Sequence, residues 1–186
     1  MDDHPSVRAG LHAVLRLEPG LVPVGEAVTA EEALEAARSL QPDVVVADYH
    51  LPDEDGLVMC SRLKAAAPGR RVLIFSAYAN SGLVVPALVA GADGLLDKGV
   101  PADELFEAIR LIAGGHPVFP RITPAQLHAA AQRLSDDQIP VLGMLLDGVE
   151  RDEIAATLGI EPADVEERVL AMVQRLQVRT TFPTLS

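Results

Sequence analysis

The segment VVVADYHLPDEDGL, residues 44–57, constrains the fold more than any other part of the chain. Three valines and an alanine form a short apolar run between Pro42 and a turn that contains Pro52 and Gly56. An apolar run without polar alternation is typical of a strand buried on both faces, as in a parallel sheet covered by helices. Asp48 follows directly, so the sequence predicts a carboxylate at the carboxyl end of a buried strand.

Helical and strand-like segments alternate from residue 5 to residue 113, which predicts an α/β domain with a parallel sheet. One helix begins with a capping-box pattern, since Thr29 is followed three residues later by Glu32. The predicted helices cover residues 7–15, 30–40, a stretch after 56, 81–90 and 103–112, and the predicted strands cover 21–27, 44–48, 71–77 and 94–96.

The first strand of this series is missing from the sequence pattern. In the flavodoxin-like doubly wound order 2-1-3-4-5, the first strand lies at the centre of the sheet, and without it buried backbone groups would lack partners. Met1 stands where that strand should end. We predict either that a strand of about five apolar residues precedes Met1 in the native protein or that another segment fills its place.

A smaller all-α region follows the sheet domain. The segment GGHPVFPRIT at 114–123 is rich in glycine and proline and marks a boundary. Helical patterns then cover 124–133, 139–146, 151–158 and 162–176, and the short connection at 159–161 makes the last two a helix-turn-helix pattern. We predict a sheet domain at 1–113, a linker with a connecting helix at 114–133 and a helix-turn-helix domain at 134–186.

Polar side chains lie at the ends of several predicted strands. Asp2 and Asp3 follow the missing strand, Ser76 follows the run LIF, and Lys98 follows GLLD. Ligands of doubly wound sheets bind beyond the carboxyl ends of the strands, so these side chains should converge on Asp48.

This set of residues suits phosphoryl transfer to Asp48. Mg²⁺ prefers carboxylate oxygens, so Asp2, Asp3 and Asp48, with the backbone carbonyl of His50, form a candidate magnesium site. The hydroxyl group of Ser76 and the ammonium group of Lys98 would contact the oxygens of a phosphoryl group. Haloacid-dehalogenase-like phosphatases also use such an aspartate, but they carry a second acid two residues later, where this chain has His50.

The motifs MDDHPSVRAGL, VVVADYHLPDEDGL, LIFSAY and GADGLLDKG resemble the receiver domain of two-component response regulators. The segment LSDDQIPVLGMLLDGVERDEIAATLGI resembles the LuxR-type helix-turn-helix that often follows it. The resemblance implies a transcription regulator and not an enzyme, phosphorylated by a sensor histidine kinase and acting on DNA as a homodimer. It makes Asp48 the phospho-acceptor, Asp2 and Asp3 the acidic pair, and Ser76 and Lys98 the phosphoryl-contacting residues.

The sequence departs from the family pattern in two more places. Leu95 stands where the family usually has an aromatic side chain that moves on phosphorylation. The second departure is acidity: residues 134–186 contain ten acidic and four basic side chains, a net charge of −6. Four acidic residues lie at the start of the predicted recognition helix, namely Glu161, Asp164, Glu166 and Glu167.

Two outputs therefore remain open. Acidic groups on a groove-facing helix oppose the phosphate contacts that supply much of the affinity for DNA. The residues available to contact DNA are Arg151, Arg168, Arg175 and Arg179. We expect DNA binding that is weak or dependent on dimerisation, and the alternative is an output domain that binds a protein partner.

Composition excludes several other classes. A net charge of −12 argues against broad adhesion to nucleic acid or anionic membranes, and six aromatic residues are too few for a single-strand stacking platform. The single cysteine, Cys60, precludes an intrachain disulfide. Since the sequence also lacks a signal-peptide pattern and a long apolar span, we predict a cytoplasmic protein without membrane contact.

Overall fold

The computed structural model describes residues 1–77, 79 and 82–177. The helices within these residues are α1 Pro5–Leu17, α2 Ala30–Leu40, α3 Gly56–Ala66, α4 Val84–Val89, α5 Ala102–Ala113, α6 Pro124–Ala131, α7 Ile139–Leu146, α8 Arg151–Leu158 and α9 Pro162–Leu176. The strands are β1 Val44–Ala47, β2 Arg71–Ser76 and β3 Gly94–Asp97. No helix among the described residues is long and apolar enough to cross a lipid bilayer.

The three strands form a parallel sheet in the order β1-β2-β3. Side chains of β2 alternate between two apolar layers, because successive residues of a strand point to opposite faces. Leu73 and Phe75 lie in the layer with the buried face of α5, whereas Val72 and Ile74 lie in the layer with α2, α3 and α4. The parallel sheet between helices confirms the predicted α/β fold, and the all-α region after it confirms the helical second part.

The predicted strand at 21–27 is wrong, because these residues form no strand in the structure. In the order 2-1-3-4-5 the only sheet neighbour of this segment is the first strand, and the described residues contain no such neighbour. Pro23 further removes one backbone donor. Val22 and Val24 are left 79% and 52% exposed. This apolar segment therefore lacks the backbone hydrogen bonds that would make it a strand.

The two edges of the sheet differ. Beyond β3, Val118 forms a parallel bridge with Gly94: Leu95 N–H donates to the Val118 carbonyl at 2.9 Å, and Val118 N–H donates to the Asp93 carbonyl at 3.0 Å. Beyond β1 no strand is paired within the described residues, and its three valines are only half-buried. One edge is therefore sealed by the chain that leads to the all-α region, and the other is open.

The helix-turn-helix pattern is present in α8 and α9. Gly159 ends α8 with a φ of 66°, in the left-handed region that glycine tolerates, and Ile160 N–H donates to the Ala155 carbonyl at 3.1 Å. Glu161 then caps α9, and its own N–H donates to Asp164 at 3.3 Å. Sequence alone therefore places both ends of this turn.

The all-α region packs directly against the sheet domain. Helix α9 contacts α3 and α4 as well as α8, and α4 also contacts α6 and α7. Buried side chains of both regions belong to one apolar core that includes Val84 and Val89 of α4 and Val165 and Val169 of α9. The structure is thus a closed arrangement in which the second helix of the helix-turn-helix lies on the sheet domain.

Candidate functional site

Asp48 lies just beyond β1, and a tight loop fixes its backbone. Gly56 N–H donates to the Tyr49 carbonyl at 2.7 Å, and a Cβ at Gly56 would overlap the carbonyl oxygen of Asp48. The two acidic residues of the loop serve as helix caps: Asp53 accepts from Ala30 N–H at 2.9 Å, and Asp55 accepts from Leu57 N–H at 2.7 Å. The loop therefore holds the Asp48 side chain in a buried position at the carboxyl edge of the sheet.

Lys98 joins two carboxylates at this edge. Its Nζ donates to Asp48 Oδ2 at 2.7 Å and to Asp2 Oδ2 at 2.5 Å. The Lys98 backbone is itself tied to β2, because its N–H donates to the Ser76 carbonyl at 3.1 Å. Three strand ends that are far apart in sequence thus converge, as the topology of a parallel sheet predicts.

Asp2 and Lys98 stabilise each other's charged forms. Burial of Asp2 opposes ionisation, but hydrogen bonds from Lys98 Nζ and from His4 N–H outweigh it and hold the pKa of Asp2 below its usual value. Burial likewise disfavours the Lys98 ammonium, yet the hydrogen bonds to Asp2 and Asp48 raise the pKa of Lys98 above its usual value. The partly buried Lys98 ammonium therefore lies between the carboxyl groups of Asp2 and Asp48.

Asp3 completes an oxygen-rich corner beside Asp2. Its Oδ1 is shielded from solvent and lies 2.6 Å from His4 Nδ1. Ligand atoms of Asp2, Asp3 and His4 all lie within 4.8 Å of one another. Two adjacent carboxylates fit Mg²⁺, which prefers such ligands. The sequence gives His4 no metal-ligand spacing, and its position beside the acidic pair is seen only in the structure.

Ser76 and His50 lie around this centre. Ser76 is fully buried at the end of β2. His50 forms an antiparallel bridge with Asp55 that closes the loop after β1, and its ring lies edge-on to Tyr49 with centroids 4.6 Å apart. The structure thus brings Asp2, Asp48 and Lys98 into direct contact and places the other predicted residues beside them.

The arginines that were candidates for DNA contact are engaged within the protein. Arg151 pairs with Glu166 of α9 and donates to the Ala90 carbonyl, at the end of α4, at 3.1 Å. Arg168 Nε lies 3.8 Å from Asp137 Oδ2, and Arg175 donates to the side-chain oxygen of Gln138 at 3.1 Å. Arg179 lies outside the described residues. In this closed arrangement the described arginines do not form one free basic face.

Residues 1–110 match the response regulator receiver domain family. The DNA-binding transcriptional activator DevR/DosR of Mycobacterium tuberculosis is 31% identical over 95% of this chain and 86% of that protein. The transcriptional activator protein ExaE of Pseudomonas putida is 34% identical over 96% of this chain and 88% of that protein. The crystal structure of a LuxR-family two-component response regulator from Aurantimonas is similar with a TM-score of 0.61 at 33% identity, over 70% of this chain and 91% of that one.

Proposed function

The chain belongs to the LuxR-family response regulators and regulates transcription, and we propose that a phosphoryl group transferred to Asp48 controls its output. The observation that carries this proposal is the contact of Asp48 Oδ2 with Lys98 Nζ, 2.7 Å apart, beside the acidic pair. We assign residues 1–113 to the receiver domain, 114–133 to the linker and 134–186 to the output domain. A sensor histidine kinase is the proposed phosphoryl donor.

In the proposed reaction, a carboxylate oxygen of Asp48 attacks the phosphorus atom. The bond from phosphorus to the donor's histidine nitrogen breaks as the bond to Asp48 forms, which gives an acyl phosphate. Lys98 already contacts Asp48, so its ammonium is placed to offset charge on the transferred group. Ser76, at the end of the neighbouring strand, supplies a hydroxyl for a phosphoryl oxygen.

Asp2, Asp3 and Asp48, with the carbonyl of His50, would hold Mg²⁺. The bound ion would offset the negative charge that gathers when a phosphate approaches several carboxylates. Lys98 Nζ bonds one oxygen of Asp2 and one of Asp48, so its ammonium group lies beside the carboxylates that would hold the ion.

Phosphorylation with acetyl phosphate tests the assignment of Asp48. The full chain should be labelled in a Mg²⁺-dependent manner, and Asp48→Asn should remove the label while preserving side-chain shape. Asp43→Asn is the matched control, because Asp43 is an exposed aspartate at the opposite end of β1. Equal labelling of the Asp48→Asn and Asp43→Asn variants would show that the acceptor lies elsewhere.

For the output, we propose homodimeric DNA binding that is weak in the closed arrangement. Helix α9 lies on α3 and α4, so it has to leave the receiver domain before it enters a DNA groove. Its exposed acidic residues, Asp164 and Glu167, oppose phosphate contacts. The half-buried Glu166 additionally neutralises Arg151.

The second candidate output is binding of a protein partner. The observation that favours it is the internal pairing of Arg151, Arg168 and Arg175, which withdraws basic groups from a DNA-facing role. An acidic helix surface instead suits a basic partner surface.

Charge reversal on α9 separates the two outputs. The double variant Glu166→Lys with Glu167→Lys should bind DNA more tightly and with a steeper salt dependence, because each lysine adds a phosphate contact. The control Glu104→Lys adds positive charge on the exposed face of α5, away from α9. Tight binding by the native chain at physiological salt, abolished by the double variant, would contradict the proposed weak output.

A further inference from the structure

Asp53 caps a helix that is distant from it in sequence. It lies in the loop between β1 and α3, yet one carboxylate oxygen accepts from the Ala30 N–H at 2.9 Å and the other from the Glu31 N–H at 3.3 Å, at the first turn of α2. Burial opposes ionisation of Asp53, but the backbone hydrogen bonds outweigh it and lower the pKa of the carboxyl group. The charged carboxylate therefore stays at the end of α2 that favours a negative charge.

Helix α2 also has a local cap. The Thr29 hydroxyl accepts from the Glu32 N–H at 3.1 Å, and the Glu32 side chain accepts from the Val28 N–H at 2.8 Å. These bonds join neighbours in the sequence and mark the start of the helix. The bonds to Asp53 instead cross 23 and 22 residues of sequence. The second cap therefore links two parts of the fold.

The residues before α2 hold the acidic pair from the other side. Asp2 N–H donates to the Ala27 carbonyl at 3.3 Å. Ala27 and Ala30 are both buried in the apolar core, so the backbone at these positions is anchored. One segment, residues 27–31, thus contacts Asp2 on one side and Asp53 on the other. We call this segment the α2 brace.

The loop after β1 carries Asp48 and Asp53 five residues apart. Near Asp48, the Gly56 N–H donates to the Tyr49 carbonyl at 2.7 Å and closes the loop. Asp53 attaches the same loop to the α2 brace. His50, whose carbonyl is a proposed ligand of Mg²⁺, lies between these two attachments in the sequence. A movement of the loop at Asp53 therefore displaces groups that would hold the ion.

A second link between this loop and α2 is more exposed. Arg62 pairs with Glu54 of the loop at 2.7 Å and with Glu31 of α2 at 3.3 Å. Ion pairs of exposed side chains contribute little to stability, so this link does not replace two bonds to backbone N–H groups. Asp53 is therefore the main attachment of the loop to α2.

We propose that Asp53 is a positioning residue for the phosphorylation of Asp48, because it holds the loop after β1 against the α2 brace and hence in place relative to Asp2. The inference rests on the proposed function and concerns a residue outside the set that would touch the ion or the phosphoryl group. Mg²⁺ demands near-octahedral geometry, so a small displacement of one ligand weakens binding. Residues that orient ligands without touching the metal commonly contribute about tenfold or more to affinity.

Hydrogen exchange of the full chain without Mg²⁺ tests the attachment itself. Asp53→Ala should speed exchange of the Gly56 amide by about tenfold, because the loop opens more often. Thr29→Ala is the matched control, since it removes the local cap of α2 but keeps the bonds to Asp53. The control should speed exchange of the Glu32 amide and leave that of Gly56 unchanged.

A Mg²⁺ titration followed by the amide signals in NMR spectra tests the consequence for the site. Asp53→Ala should weaken Mg²⁺ binding by about tenfold, and the Mg²⁺ concentration for half-maximal labelling by acetyl phosphate should rise equally. Asp53→Asn keeps an oxygen for the Ala30 N–H, so it should stay close to the native affinity. Both substitutions remove the same charge, so the difference between them isolates the hydrogen bonds.

The other outcomes overturn the proposal. Native-like Gly56 exchange and Mg²⁺ affinity in Asp53→Ala would show that the attachment has no effect on the site. Equal losses in Asp53→Ala and Asp53→Asn would assign the effect to the charge, and equal losses in Thr29→Ala would assign it to the stability of α2. If the native chain binds Mg²⁺ but is not labelled, the proposed function fails, whereas the exchange rates and the titration still decide whether Asp53 positions the loop.

Discussion

The two edges of the sheet are built from similar apolar sequence but differ in how they end. At β3, Val118 returns to bond with the strand, and Gly94 and Leu95 are buried beneath it. At β1, three valines are half-buried and the neighbouring segment 21–27 carries Val22 and Val24 into solvent. The comparison teaches that an apolar run becomes a buried strand only when a further segment pairs with its edge, because hydrogen bonding and burial are both needed.

The largest contrast is expected for a methyl group added at each edge. A Cβ on Gly94 would crowd Ile112 and the Val118 carbonyl, so Gly94→Ala should lower the free energy of unfolding by about 2 kcal/mol. Gly25→Ala meets only the end of the Leu40 side chain, which is 46% exposed and free to move, so its cost should be below about 0.5 kcal/mol. Urea unfolding of both variants measures the contrast, and equal losses would remove the distinction between the edges.

A smaller contrast is expected between two valines that are paired in register. Val72 of β2 is fully buried, while its partner Val45 of β1 is half-buried. Val72→Ala should cost about 2 kcal/mol of unfolding free energy, and Val45→Ala about 1 kcal/mol or less. The two substitutions delete the same atoms, so each serves as the control for the other. Urea unfolding measures both costs, and equal costs at the two positions would contradict the difference between the paired and the open strand.

The smallest effect is expected from pH at Asp2, which ties the open edge to the site through Ala27 and Lys98. Because the folded-state pKa of Asp2 is lowered, its ionisation stabilises the fold above the unfolded-state value of about 3.9, and this contribution is lost as pH falls below it. The difference in unfolding free energy between the native chain and Asp2→Asn should therefore shrink between about pH 5 and pH 3. Parallel stability curves over that range would show that Asp2 is not stabilised as an anion.

Local patterns predicted most of the fold. The apolar runs of β1, β2 and β3 and the turn at Gly159 carry their own signals, and the structure has them within a residue or two of the expected bounds. The capping pattern at α2 is present in part: Glu32 N–H donates to Thr29 at 3.1 Å, but the Glu32 side chain accepts from Val28 N–H. The prediction of a strand at 21–27 was wrong because a strand needs a neighbouring strand to pair with, and a local sequence pattern carries no information about that neighbour.

The candidate site was predictable in position but not in its bonding. The ends of parallel strands meet at one edge, so the convergence of Asp2, Asp48 and Lys98 follows from topology. That Lys98 bridges both carboxylates, and that Arg151 reaches the Ala90 carbonyl, depends on tertiary packing. The role of Asp48 as phospho-acceptor stays a prediction.

The single cysteine, Cys60, is a natural reactivity probe of the packing around α3. Cys60 is fully buried on α3, its Sγ lies 3.7 Å from the same Ala90 carbonyl that accepts from Arg151, and burial raises the pKa of its thiol to about 12. Alkylating reagents attack the thiolate, so Cys60 reacts only when the packing around α3 and the end of α4 opens. The alkylation rate of the unmodified chain consequently measures how often this packing opens.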